Sequence, residues 1–250
     1  MKIIKNLAFG TDAAQTLDIY LPEGETKALV VYLHGGGLIR GDKSAGATHA
    51  SYLTERGIAV ASADYRLYPT AKYPDFIRDG AAATALAYKY MKEELGCDRL
   101  YVVGTSAGGY ISMMLCFNKE FLGEVGLDNS AISGYIHNAG QPTAHFKVLE
   151  HEGVNQHRII VDERAPLYYI GLEEKYPPML FIVSDNDMVN RYEETMLTLS
   201  ALRTFGYSGF DHIVMHSTHC GYCRVGEDGR NIFAEMVYDF IESAERSDAL

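Results

Sequence analysis

Tryptophan is absent from the 250 residues, cysteine is limited to four and proline to seven. Without tryptophan, stacking against a sugar ring would fall to tyrosine or phenylalanine. Four cysteines in a chain this long cannot make the dense disulfide framework of a small secreted domain, so the fold has to rest on its core. Basic side chains are also in deficit. Twenty-two Lys and Arg against 33 Asp and Glu leave a formal charge of −11 with no compensating basic run, which excludes a phosphate backbone as an expected partner. No apolar run is long enough to span a bilayer. The first residues, Met1 to Asn6, lack the apolar stretch and cleavage site of a leader, so the chain reads as cytoplasmic with no membrane partner.

What is present is ordinary globular material, 47% hydrophobic and 22% charged, far from the composition of a disordered chain. A chain of this length buries about three quarters of its unfolded surface and needs no staples. Apolar runs at Leu17–Leu21, Ala28–Leu33, Gly57–Ala63, Leu100–Val103, Ile132–Ile136, Met179–Val183 and His212–His216 read as strands. Between them, Pro74–Leu95, Ala107–Phe117, Tyr192–Phe205 and Asn231–Ala244 carry helical patterns. Strands alternating with helices predict βαβ units and a mostly parallel sheet with helices on both faces. The first two strands have no helix between them and are expected to form an antiparallel edge. Residues 139–178 show no clear period and are too long for an ordinary loop, which predicts one domain over 1–250 with a small cap-like insertion there.

Two turns carry chemistry. Gly104-Thr105-Ser106-Ala107-Gly108 lies between a strand and a helix, where a serine is held in strained backbone angles with its hydroxyl standing above the sheet. The helix that follows offers free N–H groups to developing negative charge. His34-Gly35-Gly36-Gly37 follows the strand Ala28–Leu33, and glycines there let peptide N–H groups face a substrate oxygen. Placed before the serine turn, this segment matches the second half of an oxyanion hole, with the N–H groups of Gly36, Gly37 and Ala107 as the donors.

These motifs resemble the α/β-hydrolases of the hormone-sensitive-lipase-like esterase group, whose members combine an HGGG turn with a G-x-S-A-G elbow. The resemblance extends through Gly41-Asp42-Lys43-Ser44, Asp64-Tyr65-Arg66-Leu67, Pro74 and Asp79, and covers nearly the whole chain outside the insertion. Two positions depart from it. Leu38 stands where many members carry an aromatic residue, and Ala165-Pro166 replaces the commoner Ser-Pro; both bear on substrate choice.

A serine needs a base, and the base needs an acid, in the chain order Ser, acid, His for this fold. Of nine histidines, His34 precedes the serine. His49, His137, His145, His151 and His157 read as surface, insertion-packing or substrate-edge residues, and His212 and His216 as packed strand residues. His219, in the loop after the last strand, occupies the family's position for the base. For the acid, the family pattern selects Asp187 ahead of Met188-Val189, with Asp185 as the alternative. Asp64, Asp75 and Asp79 precede the serine and read as caps or ion-pair partners; Asp228 reads as a helix-start residue.

Cys220 and Cys223 form a C-x-x-C immediately after His219. A thioredoxin-like context and two further zinc ligands at matching spacing are both missing, so the pair reads as two thiols in the histidine loop, with an oxidised pair that displaces His219 as the alternative. No metal or cofactor is expected. The resemblance implies a serine carboxylic ester hydrolase for small or short-acyl esters, acetyl or feruloyl esters of carbohydrates among them. Amide hydrolysis as in arylformamidases or exopeptidases, or a non-catalytic pocket binder, are the competing readings.

Overall fold

A computed structural model describes residues 1–248. Eight strands form one sheet: β1 (Lys2–Ala8), β2 (Thr16–Leu21), β3 (Ala28–Leu33), β4 (Ile58–Ala63), β5 (Leu100–Thr105), β6 (Gly134–Asn138), β7 (Met179–Asn186) and β8 (Phe210–Thr218). Their order is β1-β2-β4-β3-β5-β6-β7-β8. From β4 to β8 all neighbours are parallel, whereas β1 with β2 and β2 with β4 are antiparallel. Among the described residues seven α-helices accompany the sheet: α1 (Ser44–Thr54), α2 (Asp75–Tyr90), α3 (Ala107–Phe117), α4 (Lys119–Gly123), α5 (Phe146–His151), α6 (Arg191–Thr204) and α7 (Ile232–Asp248). No helix among the described residues is long and apolar enough to cross a membrane.

The expected antiparallel edge exists, but its members differ. β3 is not beside β2; it lies in the middle of the sheet, between β4 and β5. All six residues of β3 are buried, as are those of β4 and β5. Such continuous apolar runs need helices on both faces and a strand on both sides. The outer partner of β2 is β1, whose sequence, KIIKNLA, is too polar to read as a strand and whose residues are largely exposed, as suits an edge.

Apolar side chains fill both faces. One face packs Phe76, Ile77 and Ala81 of α2, the whole of α3, and Leu199 and Leu202 of α6. The other takes Ala50 and Leu53 of α1 with Phe233, Ala234, Val237 and Ile241 of α7, a helical spacing that turns one stripe inward. α3 has no solvent face, since every residue from Ala107 to Phe117 is buried. That follows from AGGYISMMLCF, which is apolar or small all the way round. Removing a fully buried side chain from it, Ile111→Ala for example, costs about 2–5 kcal/mol.

Histidines part company with the sequence reading. His49 and His137 are core residues, their imidazoles pushed down to about 4 and about 3 by burial. His212 and His216 lie on the exposed edge strand β8 and are not packed. A strand pattern alone does not reveal that the strand is outermost. Within 139–178, Ala139 to His145 are all buried, followed by α5 and a short 3₁₀ turn at Pro166–Tyr169.

Candidate active site

The two glycine-bearing turns meet at the carboxyl ends of β3 and β5. Ser106 links β5 to α3 with φ of 55° and ψ of −112°, a left-handed conformation that costs a non-glycine residue free energy and persists only when its surroundings enforce it. Those surroundings admit no side chain. A Cβ on Gly104 would stand 2.0 Å from the Gly108 carbonyl oxygen, and one on Gly108 would stand 2.0 Å from that of Leu33. The backbone of Ser106 is fixed by its N–H, which donates to the Asn138 carbonyl at 2.7 Å.

Beyond the elbow, Gly36 has φ of 124°, and a Cβ there would lie 1.9 Å from the Arg40 carbonyl. The turn is closed by Arg40 N–H donating to the Gly36 carbonyl at 3.2 Å. Among the described residues, no hydrogen bond takes up the N–H groups of Gly36, Gly37 or Ala107. These three backbone donors are unengaged among the described residues, Ala107 as the first residue of α3.

From the far side of the sheet come the acid and the base. Ser106 Oγ lies 2.8 Å from His219 Nε2, and His219 Nδ1 lies 2.5 Å from Asp187 Oδ1. The Asp187 side chain has no solvent exposure. Its carboxylate also accepts from the N–H groups of Met188 at 2.7 Å and Ser184 at 3.3 Å. Burial pushes the Asp187 pKa upward, but the hydrogen bond and charge of His219, with those two N–H groups, outweigh it and hold the carboxyl below its ordinary range. An ionised carboxylate only accepts, so Nδ1 carries a proton and Nε2 is left to accept from the serine hydroxyl. Ser184 Oγ donates to the Thr218 carbonyl at 2.9 Å and ties the acid loop to the base loop.

Ser106, His219 and Asp187 are thus brought together, with Ala107 next in the chain to the serine and the glycine turn packed on Ser106 through Gly35. Asp185, the alternative acid, points elsewhere and holds His216 Nδ1 at 2.6 Å on the surface. Asp79 and Asp64 are ion-pair partners of Arg66 and Lys43, as expected. Cys220 and Cys223 are free thiols. Cys220 Sγ lies 3.8 Å from His219 Nε2, and its pKa is held well above the ordinary thiol range by a hydrogen bond with Cys223 and by burial.

Sequence reasoning missed the supports. Asn138 holds the serine peptide through its carbonyl, accepts from Tyr222 Oη at 2.5 Å and donates to Cys223 Sγ at 3.2 Å. Arg191, the first residue of α6, is buried and donates through Nη1 to the Ala139 carbonyl at 2.6 Å. An arginine opening a polar helix looks like a surface residue in the sequence, and nothing there signals its burial. Beside the acid loop lies a pocket of about 500 Å³ whose walls include Gln141, Phe146, Ile159, Met188 and Val189. Phe146 joins it to the glycine turn, its Cζ lying 3.7 Å from where a Gly37 Cβ would be.

Residues 17–202 match the sequence pattern of the BD-FAE family. The chain belongs to that family. Among curated relatives of this BD-FAE protein, a probable isoprenylcysteine alpha-carbonyl methylesterase of Arabidopsis thaliana is 33% identical over 43% of this chain and 23% of its own length. An acetyl esterase of Salmonella schwarzengrund is 30% identical over 39% of this chain and 31% of its own. The matched segments thus span about a quarter to a third of those relatives. Among solved structures, esterase B of Lactobacillus rhamnosis superposes with a TM-score of 0.80 at 18% identity, covering 99% of this chain and 87% of that one. A Thermogutta terrifontis esterase with propionate bound gives 0.76 at 19% identity over 95% and 93%. The fold of this BD-FAE protein is accordingly the α/β-hydrolase fold.

Proposed function

We propose that the protein is a serine carboxylic ester hydrolase for small or short-acyl esters, with Ser106 as nucleophile, His219 as general base and acid, Asp187 as the acid that orients it, and the N–H groups of Gly36, Gly37 and Ala107 as the oxyanion hole. The observation that carries this is the continuous relay from a left-handed serine through 2.8 Å to an imidazole and through 2.5 Å to a buried carboxylate. In the first half-reaction Ser106 Oγ attacks the ester carbonyl while His219 Nε2 takes its proton, and Asp187 stabilises the imidazolium. The tetrahedral oxyanion meets the three unengaged backbone donors. His219 then gives its proton to the departing alcohol. Water repeats the sequence on the acyl-enzyme and frees the acid.

The pocket beside Met188 and Val189 is the space for the substrate's organic group, and residues 139–178 act as its cap, since Gln141, Phe146 and Ile159 supply much of its wall. The four free thiols support a cytoplasmic location. The test is turnover of p-nitrophenyl esters from acetyl to decanoyl, with Ser106→Ala alongside. A rate that peaks at short chains and falls by about 10⁶ in the variant is expected. No turnover above Ser106→Ala with folded protein would overturn the ester reading.

A further inference from the structure

Immediately behind the proposed base, the C-x-x-C pair is arranged for more than packing. The N–H of Cys223 donates to the Cys220 carbonyl at 3.1 Å, closing a tight turn. Such a turn brings its end Cα atoms within about 7 Å, and a disulfide needs them roughly 4.4–6.8 Å apart. The two thiols are free and only partly covered by the surrounding protein. Each is also wired to the site. Cys220 Sγ is 3.8 Å from the nitrogen of His219 that holds Ser106, and Cys223 Sγ accepts from Asn138, whose carbonyl fixes the Ser106 peptide. Cys220 itself sits at φ of 54°, a left-handed conformation next in the chain to His219.

We propose that Cys220 and Cys223 form a reversible disulfide site for low-molecular-weight disulfides, and that its closure slows the chemistry at His219. Cys223, as its thiolate, attacks the small disulfide, forming a protein mixed disulfide and releasing one small thiol. Cys220 then attacks the protein sulfur of that mixed disulfide, forming the Cys220–Cys223 bond and releasing the other. Two electrons and two protons pass from the dithiol to the oxidant, which leaves as two thiols. Drawing Cys220 Sγ to bonding distance of Cys223 breaks its contact with His219 Nε2 and strains the adjoining left-handed peptide. A misplacement of about 1 Å in a catalytic group can cost a hundredfold in rate.

This rests on the ester-hydrolase reading, so the experiment reads chemistry and turnover apart. The whole protein is incubated with oxidised glutathione and followed by mass, by p-nitrophenyl acetate turnover and by the ¹⁵N shifts of the His219 imidazole. Expected are a loss of about 2 Da with no lasting glutathione adduct, a fall in kcat of at least about tenfold, displaced His219 shifts, and recovery of all three with dithiothreitol. Cys223→Ser should keep the same turnover with and without the oxidant. Failure to form the internal disulfide overturns the proposal, as does an oxidised protein with unchanged kcat. If neither redox form hydrolyses any ester, the functional reading fails, and unmoved His219 shifts would then overturn this proposal on their own.

Discussion

The two aspartates one residue apart, Asp185 and Asp187, give the sharpest test of the site. Each touches a histidine at nearly the same distance, 2.6 Å to His216 and 2.5 Å to His219. Their surroundings are opposite. The His216 side chain is 98% exposed and that of Asp185 41%, whereas Asp187 is fully covered. In Asp187→Asn an amide that keeps its oxygen for the Ser184 N–H turns its NH₂ toward Nδ1, in place of the Oδ1 that His219 and the Met188 N–H share. Nδ1 must then accept, the imidazole proton moves to Nε2, and the nitrogen facing Ser106 can no longer take its proton. A wrong-tautomer imidazole in a serine relay costs about 10⁴ in kcat, or about 5.5 kcal/mol of barrier. The Asp185–His216 pair is solvated and screened, so Asp185→Asn should leave kcat/KM within about threefold. Both variants are assayed on p-nitrophenyl acetate, with thermal melts to show that each is folded. Asp187→Asn retaining a tenth of the rate, or Asp185→Asn losing as much as its neighbour, would refute the assignment.

Further expectations follow from the glycine turn and from the buried imidazoles. Gly36→Ala places a methyl 1.9 Å from a backbone carbonyl, so the turn must shift; kcat should fall by about 10²–10³, the usual cost of one oxyanion donor, while a melt still shows folded protein. His49 and His137 are buried neutral, with pKa values lowered from 6.5 to about 4 and about 3. Unfolded imidazoles take up protons in that window and the folded ones do not, so stability is full above pH 6.5 and drains as pH falls toward 4, by roughly 3 kcal/mol for each buried group. Urea unfolding across pH 7 to 4 measures this slope, and His137→Leu should flatten it. Asp187 acts in the same direction lower down: its carboxyl is depressed below the ordinary 3.8, so its stabilisation is present above that value and is lost as pH falls through the folded pKa.

The serine turn and the glycine turn were legible in the sequence because their glycines are forced by backbone collisions, which leave a fixed local pattern. His219 and Asp187 were legible through chain order and resemblance to a family, not through any property of their own neighbourhoods. What stayed hidden is instructive. β1 alternates too weakly to announce itself, because an edge strand needs little apolar surface. β3 was misplaced at an edge, because local sequence tells which residues are buried but not which strand lies beside which. His137 and Arg191 look polar and exposed in the sequence. Only the three-dimensional packing turns one into a core residue bonded to Ser112 and the other into a buried clamp on Ala139.

α3 has no face toward water, and the serine at its head is joined to the centre of the sheet, whereas His219 follows β8, the outermost strand of the sheet, which among the described residues pairs with β7 alone. The nucleophile therefore belongs to the part of the molecule that opens last, and the base to a part that can open early. On warming, the relay should come apart from one side: β8 and its loop exchange their amide hydrogens and swing His219 away while α3 is still closed. Inactivation would then precede the cooperative melt and reverse on cooling. The temperature at which this protein stops working would be set at the margin of its sheet, far from its core.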